Sequence, residues 1–219
     1  MKISAIIAAA GSSSRFKQGQ KLLQDLNGKM VIERTIETFN SHNMIDEIVI
    51  CTSENIVEDI KKIAANYPKV KKVILGGAQR QDSVLNGLKE LNNPDFVAIH
   101  DGARPLITAE TITNTLNKAI EYEHATCAIQ VKDTIKKVLN GKIVETPNRD
   151  ELWQVQTPQV FKYKEILDAH LKFQGKNFTD DTLLIEEMGK SVYIVNGCYK
   201  NIKITTPEDI NIARLLDKN

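Results

Sequence analysis

Six of the 29 basic residues are arginines, and four of those six fall in short segments suited to meeting anions. Arg15 closes the run Ala8-Ala9-Ala10-Gly11-Ser12-Ser13-Ser14, and Arg80 follows Gly76-Gly77-Ala78-Gln79. Arg104 stands in His100-Asp101-Gly102-Ala103-Arg104-Pro105, and Arg149 in Pro147-Asn148-Arg149. A guanidinium is planar, permanently charged and forked to grip phosphate oxygens, so its concentration in these segments points to phosphate chemistry. Small residues after an apolar run let a backbone approach its ligand, and their N–H groups can form an anion nest beside a helix N-terminus. The run is neither GxGxxG nor GxxxxGK[ST], so it supports neither a dinucleotide fold nor a P-loop; a plain Ser-rich loop is the alternative. Arg15 and Lys21, six residues apart, suit the spread charge of a triphosphate.

Other segments carry one chemical reading and one structural reading each. In the glycine-rich stretch from Gly76, Asp82 or Ser83 is either part of a ligand site or the N-cap of the helix that follows. Asp101, just past the apolar run Phe96–Ile99, suits Mg²⁺, which takes one or two carboxylates and completes its shell with phosphate and water; an Asp-Gly turn is the alternative. His100 reads as a hydrogen-bonded edge residue and Trp153 as a packing residue. Lys203 sits in the apolar run Asn201–Ile204, where burying its charge needs a partner that a phosphate would supply; a lone edge-strand lysine is the alternative.

These residues need a scaffold that brings them together. Apolar runs alternate with amphipathic segments: strands over Ile3–Ala8, Glu47–Cys51, Lys72–Leu75, Phe96–Ile99, Ala125–Ile129 and Val192–Val195. Between them lie helices over Val31–Phe39, Ile56–Ala65, Ser83–Leu91, Ala109–Tyr122, Lys164–Leu171 and Thr182–Met188. Asn201–Ile204 reads as a last strand, before a helix opening at Pro207 with Thr206 as N-cap and Asp209 completing an Asp capping box. This alternation predicts an α/β fold, a mostly parallel sheet flanked by helices, with ligands at the carboxyl ends of the strands. Asn140-Gly141 between Thr134–Leu139 and Lys142–Glu145 predicts a β-hairpin with a type I′ turn. A two-stranded hairpin is marginal alone, so it must pack on the domain or on a second subunit. The reading is one domain over residues 1–219 with an inserted arm at 131–150.

Composition narrows the class. Hydrophobic residues make up 42% and charged residues 26% of 219 residues, which suits a globular protein. A net charge of +1 argues against a generic nucleic-acid or membrane-surface binder. No run approaches a membrane span, and the N-terminal apolar run is too short for a secretory segment. Cys51, Cys127 and Cys198 are scattered and odd in number, which favours reduced thiols in a cytoplasmic protein. His42, His100, His124 and His170 show no metal-ligand spacing.

Taken in order, AAAGSSSR, GGAQRQDSVLNGL, HDGARP, VKDT, PNRDELWQVQTPQVF, TDD and NIKITTPEDI resemble the 2-C-methyl-D-erythritol 4-phosphate cytidylyltransferase family across nearly the whole chain. The resemblance implies a Rossmann-like nucleotidyltransferase fold, CTP and an alcohol phosphate as substrates, a divalent cation such as Mg²⁺, and a homodimer through the 131–150 arm. It assigns Arg15 and Lys21 to charge stabilisation in the transition state, with Lys17 as the competing lysine. It assigns CTP to Ala9, Ala10, Gly11, Ser12, Gly77, Asp82, Ser83, Asp101, Ala103 and Arg104, and the metal to Asp101. Thr134, Arg149, Thr157, Thr179 and Lys203 would meet the alcohol phosphate, with Arg149 and Lys203 also counted as catalytic.

Two other readings compete. A sibling family, ribitol 5-phosphate cytidylyltransferase, shares the HD-x-x-RP, PNR, QTPQ and KITT elements, while VKDTIKKV and TDD lean toward the methylerythritol enzyme. A non-catalytic nucleotide-binding module would bind CTP without releasing pyrophosphate.

Overall fold

The computed structural model describes residues 1–11, 16 and 19–218. In chain order the elements are β1 (Ile3–Ala9), β2 (Asp25–Leu26), β3 (Lys29–Met30), α1 (Val31–Ser41), β4 (Glu47–Thr52) and α2 (Val57–Ala64). Then come β5 (Val70–Leu75), α3 (Arg80–Glu90), β6 (Phe96–Asp101), α4 (Ala109–Tyr122), β7 (His124–Gln130), β8 (Lys137–Leu139) and β9 (Lys142–Glu145). The chain ends with β10 (Trp153–Lys162), α5 (Tyr163–Lys172), α6 (Asp181–Glu187), β11 (Tyr193–Asn196) and α7 (Pro207–Leu216).

Seven strands form one sheet in the order β11-β7-β10-β6-β1-β4-β5. All neighbours pair in parallel except β10, which runs antiparallel between β6 and β7. Both faces are covered, as a parallel sheet requires. Strand alternation sorts β1 between two cores. Ile3, Ala5 and Ile7 join α1, α2, α4 and α7 in one cluster, while Ile6 joins α3, α5 and α6 in the other. Gly87 lets α3 lie close to the sheet, since a Cβ there would come 2.8 Å from Cys51 Sγ and 3.0 Å from Ile6 Cγ2.

The chain order reverses about β1, which feeds β4 and β5 on one side and lies beside β6 on the other. A crevice at the carboxyl end of such a switch is where open α/β sheets bind ligands. Ala8 of β1 is in register with Asp101 of β6, and the Gly102 N–H extends the pairing to the Ala8 carbonyl at 2.9 Å.

The hairpin forms where expected, with Asn140 and Gly141 both at positive φ (50° and 78°), as a type I′ turn needs. Its apolar side chains stay out of either core: Val138, Leu139, Ile143 and Val144 are all more than half exposed, at 54–64%.

Four expectations need correction. Asn201–Ile204 is not a strand; it is an extended segment tied by the Ile204 N–H to the Ala103 carbonyl at 2.8 Å. Helix α3 begins at Arg80, three residues before Ser83, so Gln79 is the N-cap and Asp82 caps from inside the first turn. His100 is no edge residue: it lies fully buried in a central strand, its ring 4.9 Å from that of Phe39. Trp153, read as packing, is 36% exposed.

His100 Nδ1 lies 2.9 Å from Thr157 Oγ1 and Nε2 lies 3.2 Å from the Arg104 carbonyl. The Thr157 hydroxyl oxygen already accepts from the Asp101 N–H at 3.1 Å, so its proton goes to Nδ1 and the imidazole donates from Nε2. Burial pulls the His100 pKa from 6.5 down to about 4. A histidine kept neutral in the fold gives its full stability above the unfolded pKa, and loses it as the unfolded chain takes the proton at lower pH. Urea unfolding should therefore show about 2 kcal/mol less stability at pH 5 than at pH 7 from this group. A folded His100→Asn variant should lack that share, and an unchanged pH difference would rule His100 out as the source.

Candidate active site

The carboxyl edge of β1 and β6 opens into a cavity of about 360 Å³. Ala8, Ala9, Ala10 and Gly11 form one wall, Gly77 to Arg80 and Ser83 another, and Lys21, Leu22, Asp101, Ala103, Lys203 and Thr205 complete the lining. Two glycines allow these walls to meet. A Cβ at Gly76 would lie 2.4 Å from Ala10 Cβ, and one at Gly77 would lie 2.3 Å from Asp82 Cβ. Ser83 fixes the turn, its hydroxyl accepting from the Gly77 N–H and donating to the Gln79 carbonyl, each at 3.0 Å. Asp82 is not among the lining residues, and its carboxylate accepts from the Gln79 N–H at 3.1 Å.

Asp101 is the only carboxylate lining the cavity among the described residues. Its Oδ1 accepts from Arg80 Nε at 3.1 Å, and its Oδ2 meets Lys203 Nζ at 2.7 Å and Arg104 Nε at 3.8 Å. Burial alone would push this carboxyl up; the Arg80, Lys203 and Arg104 charges outweigh it and hold it well below the usual carboxylate range. Lys203 thus has a protein partner, and remains half-buried at the cavity edge where an arriving phosphate could compete for it.

Arg104 stands behind the cavity. Burial lowers its pKa, and its guanidinium donates to the Asn201 carbonyl at 2.8 Å. Asn201 in turn donates to the Thr157 carbonyl at 2.9 Å. This set of bonds fixes the segment that carries Lys203. Thr157 is 4% exposed, with its hydroxyl committed to His100 and Asp101, so it sits behind the cavity instead of lining it.

The structure therefore brings together Ala9, Ala10, Gly11, Lys21, Gly77, Ser83, Asp101, Ala103 and Lys203 in one lining. Thr134, Arg149 and Thr179 are exposed and outside it. Arg149 lies at the base of the arm, donating to the Lys132 carbonyl at 3.0 Å. Ser12 and Arg15 lie outside the described residues, as does Lys17, the rival of Lys21. Sequence reading marked Arg80 as an arginine in an anion-suited segment but gave it no role in the site, and it gave none to Gln79 or Thr205.

One further acidic group lies elsewhere: ligand atoms of Glu123, His124 and Glu165 come within 4.8 Å of one another. Lys162 and Lys190 stand 2.7 Å from Glu123 and Glu165, so these carboxylates are already met by cations.

Known proteins resemble this chain over nearly its full length. The family model described as 2-C-methyl-D-erythritol 4-phosphate cytidylyltransferase matches residues 3–218. The curated protein of that name from Clostridium botulinum (strain Loch Maree / Type A3) is 44% identical, over 99% of this chain and 98% of the relative. The one from Clostridioides difficile (strain 630) is also 44% identical, over 96% of this chain and 91% of the relative. The crystal structure of 4-diphosphocytidyl-2C-methyl-D-erythritol synthase from Anaerococcus prevotii DSM 20548 superposes with a TM-score of 0.89 at 33% identity, covering 100% of this chain and 96% of the other. Likeness in sequence and fold over essentially the whole length makes this chain a member of the 2-C-methyl-D-erythritol 4-phosphate cytidylyltransferase family.

Proposed function

We propose that the protein transfers the cytidylyl group of CTP to 2-C-methyl-D-erythritol 4-phosphate, giving 4-diphosphocytidyl-2-C-methyl-D-erythritol and pyrophosphate. The observation that carries this reading is the cationic cluster around Asp101 beneath a wall of alanines and glycines, within a family match from residue 3 to 218. A substrate phosphate oxygen attacks the α-phosphorus of CTP, and the bond to pyrophosphate breaks in line with it. The attacking phosphate is already ionised near neutral pH, so the protein need supply no general base. Its task is to hold two anions together and stabilise the charge of the transition state. Ala9 to Gly11, Gly77 and Ser83 would hold CTP, while Lys21 and Arg15 would meet the charge developing on the transferred phosphorus. Lys203 would exchange Asp101 for a phosphate oxygen. The family and its relatives are named for the methylerythritol substrate, which supports that alcohol over ribitol phosphate.

Mg²⁺ fits the donor set: Asp101 is ionised and borders the cavity, and one carboxylate suffices when phosphate oxygens complete the shell. Bound there, the ion would neutralise triphosphate charge. Asp101 would hold it, and the shift of Lys203 to phosphate would free Oδ2.

The proposed form is a homodimer, and the exposed arm supports it. Arg149 and Thr134 lie outside the chain's own cavity lining, and the arm exposes Val138, Leu139, Ile143 and Val144. A second copy would cover those side chains and receive Arg149 near its own Lys203. A cytoplasmic setting is supported by the free thiols Cys51 and Cys127, whose pKa values burial pushes up to about 12.

Incubated with CTP and Mg²⁺, the protein should release pyrophosphate with methylerythritol phosphate and much less with ribitol 5-phosphate; the reverse preference would overturn the assignment. Arg15→Ala should lower kcat by about 10² or more, the usual effect of removing a transition-state donor. An unchanged kcat would take Arg15 out of that role. Arg149→Ala and Lys203→Ala should each be nearly inactive alone. Mixed and allowed to exchange subunits, they should regain about a quarter of wild-type activity, because half the dimers would be hybrids with one intact site. No recovery in demonstrated hybrid dimers would place Arg149 in its own chain's site.

A further inference from the structure

We propose that Arg80 is a positioning residue for the reaction, acting through Asp101, and that Asp181 is the anchor that holds it in place. The inference rests on the cytidylyl-transfer reading above. Arg80 opens α3 at the cavity wall, and its guanidinium reaches two carboxylates at once. Nε donates to Asp101 Oδ1 at 3.1 Å, and Nη1 donates to Asp181 Oδ2 at 2.6 Å. A rigid planar fork held by two carboxylates has its plane set by them, a role a point cation such as lysine does not reproduce.

Asp181 is 1% exposed and absent from the cavity lining. It is fixed independently of Arg80. Its Oδ1 lies 3.1 Å from Nε2 of the wholly buried His170, and its N–H donates to Gln159 Oε1 at 3.1 Å. The Gln159 amide donates back to Asp180 Oδ2 at 3.0 Å, while Asp180 Oδ1 accepts from the Leu183 N–H as the N-cap of α6. The first turn of α6 is thereby tied to β10, one strand away from Asp101.

The two oxygens of Asp101 are unequally held. Oδ2 faces Lys203 and Arg104, and Lys203 is the partner that a substrate phosphate would draw away. Among the described residues, the ion pair recorded at Oδ1 comes from Arg80. When Lys203 moves to substrate, the Arg80 bond keeps the carboxylate in plane. Asp181 keeps Arg80 from swinging into the cavity and pairing with the triphosphate itself. The Asp181 of the Thr179-Asp180-Asp181 motif thus reaches the chemistry through one guanidinium.

Steady-state kinetics on Arg80→Lys, Asp181→Asn and the double variant test this, with melting temperature recorded for each. Each single variant should lower kcat about tenfold or more while KM for CTP stays within about threefold, and the double variant should be no worse than the worse single. Arg80→Lys keeps the charge and Asp181→Asn the shape, so at least one folded variant should be available. A folded Arg80→Lys enzyme with kcat within twofold of wild type would overturn the proposal, whatever its melting temperature. So would a rise in KM for CTP at unchanged kcat, which would make Arg80 a direct ligand, or a double variant whose loss is the product of the singles. Absence of turnover in the wild type would instead reject the underlying reading of the reaction.

Discussion

A charged carboxylate placed at the end of a buried strand must be matched, because an isolated one costs several kcal/mol to desolvate. Asp101 at the end of β6 sets that requirement, and three separate parts of the chain answer it. Arg80 comes from the first residue of α3, Arg104 from the turn after β6, and Lys203 from the segment before α7. Residues far apart in sequence therefore converge on one point at the sheet edge. The same matching leaves an excess of positive charge around a space lined by small side chains, so the arrangement that stabilises Asp101 also prepares the space for an anion.

The frame beneath this cluster was largely legible in the sequence, because local patterning and tertiary demand agree there. The apolar run of β1, the boundaries of α4 and the Asn140-Gly141 turn all stand where periodicity and turn chemistry put them. So does the start of α7, where Thr206 and Asp209 form the capping box. β10 was not legible. Its segment contains Pro158 and alternates poorly, and proline normally argues against an interior strand. The strand accommodates it with a register shift between Val155 and Gln159. Asn201–Ile204 shows the converse: its apolar pattern is that of a strand, but its backbone goes to Ala103 and Cys198 instead of a ladder.

The site divides in the same way. Small residues after a strand and a carboxylate at a strand end are local signals, and the lining contains most of the residues they marked. Thr157 and Arg80 were both marked, but what they touch was obscured because their partners are remote. The Thr157 hydroxyl meets a backbone N–H 56 residues away, and Arg80 meets Asp181 101 residues away. A pairing of that separation leaves no mark in the spacing of either segment.

The direction of β10 has one more consequence. Because it runs against β7, the chain leaves the sheet at Gln130 and returns at Trp153 on the same edge, and those two residues face each other in the ladder. The ends of the excursion are thus closed by the sheet itself, and the entropy of closing a loop grows only slowly with its length. The excursion's length, and its side chains beyond the buried Val131 and the Lys132 that meets Tyr199, are then nearly decoupled from the stability of the body. Insertions or exchanges in the exposed hairpin should be tolerated by the fold, leaving that stretch of sequence to be set by whatever surface it touches.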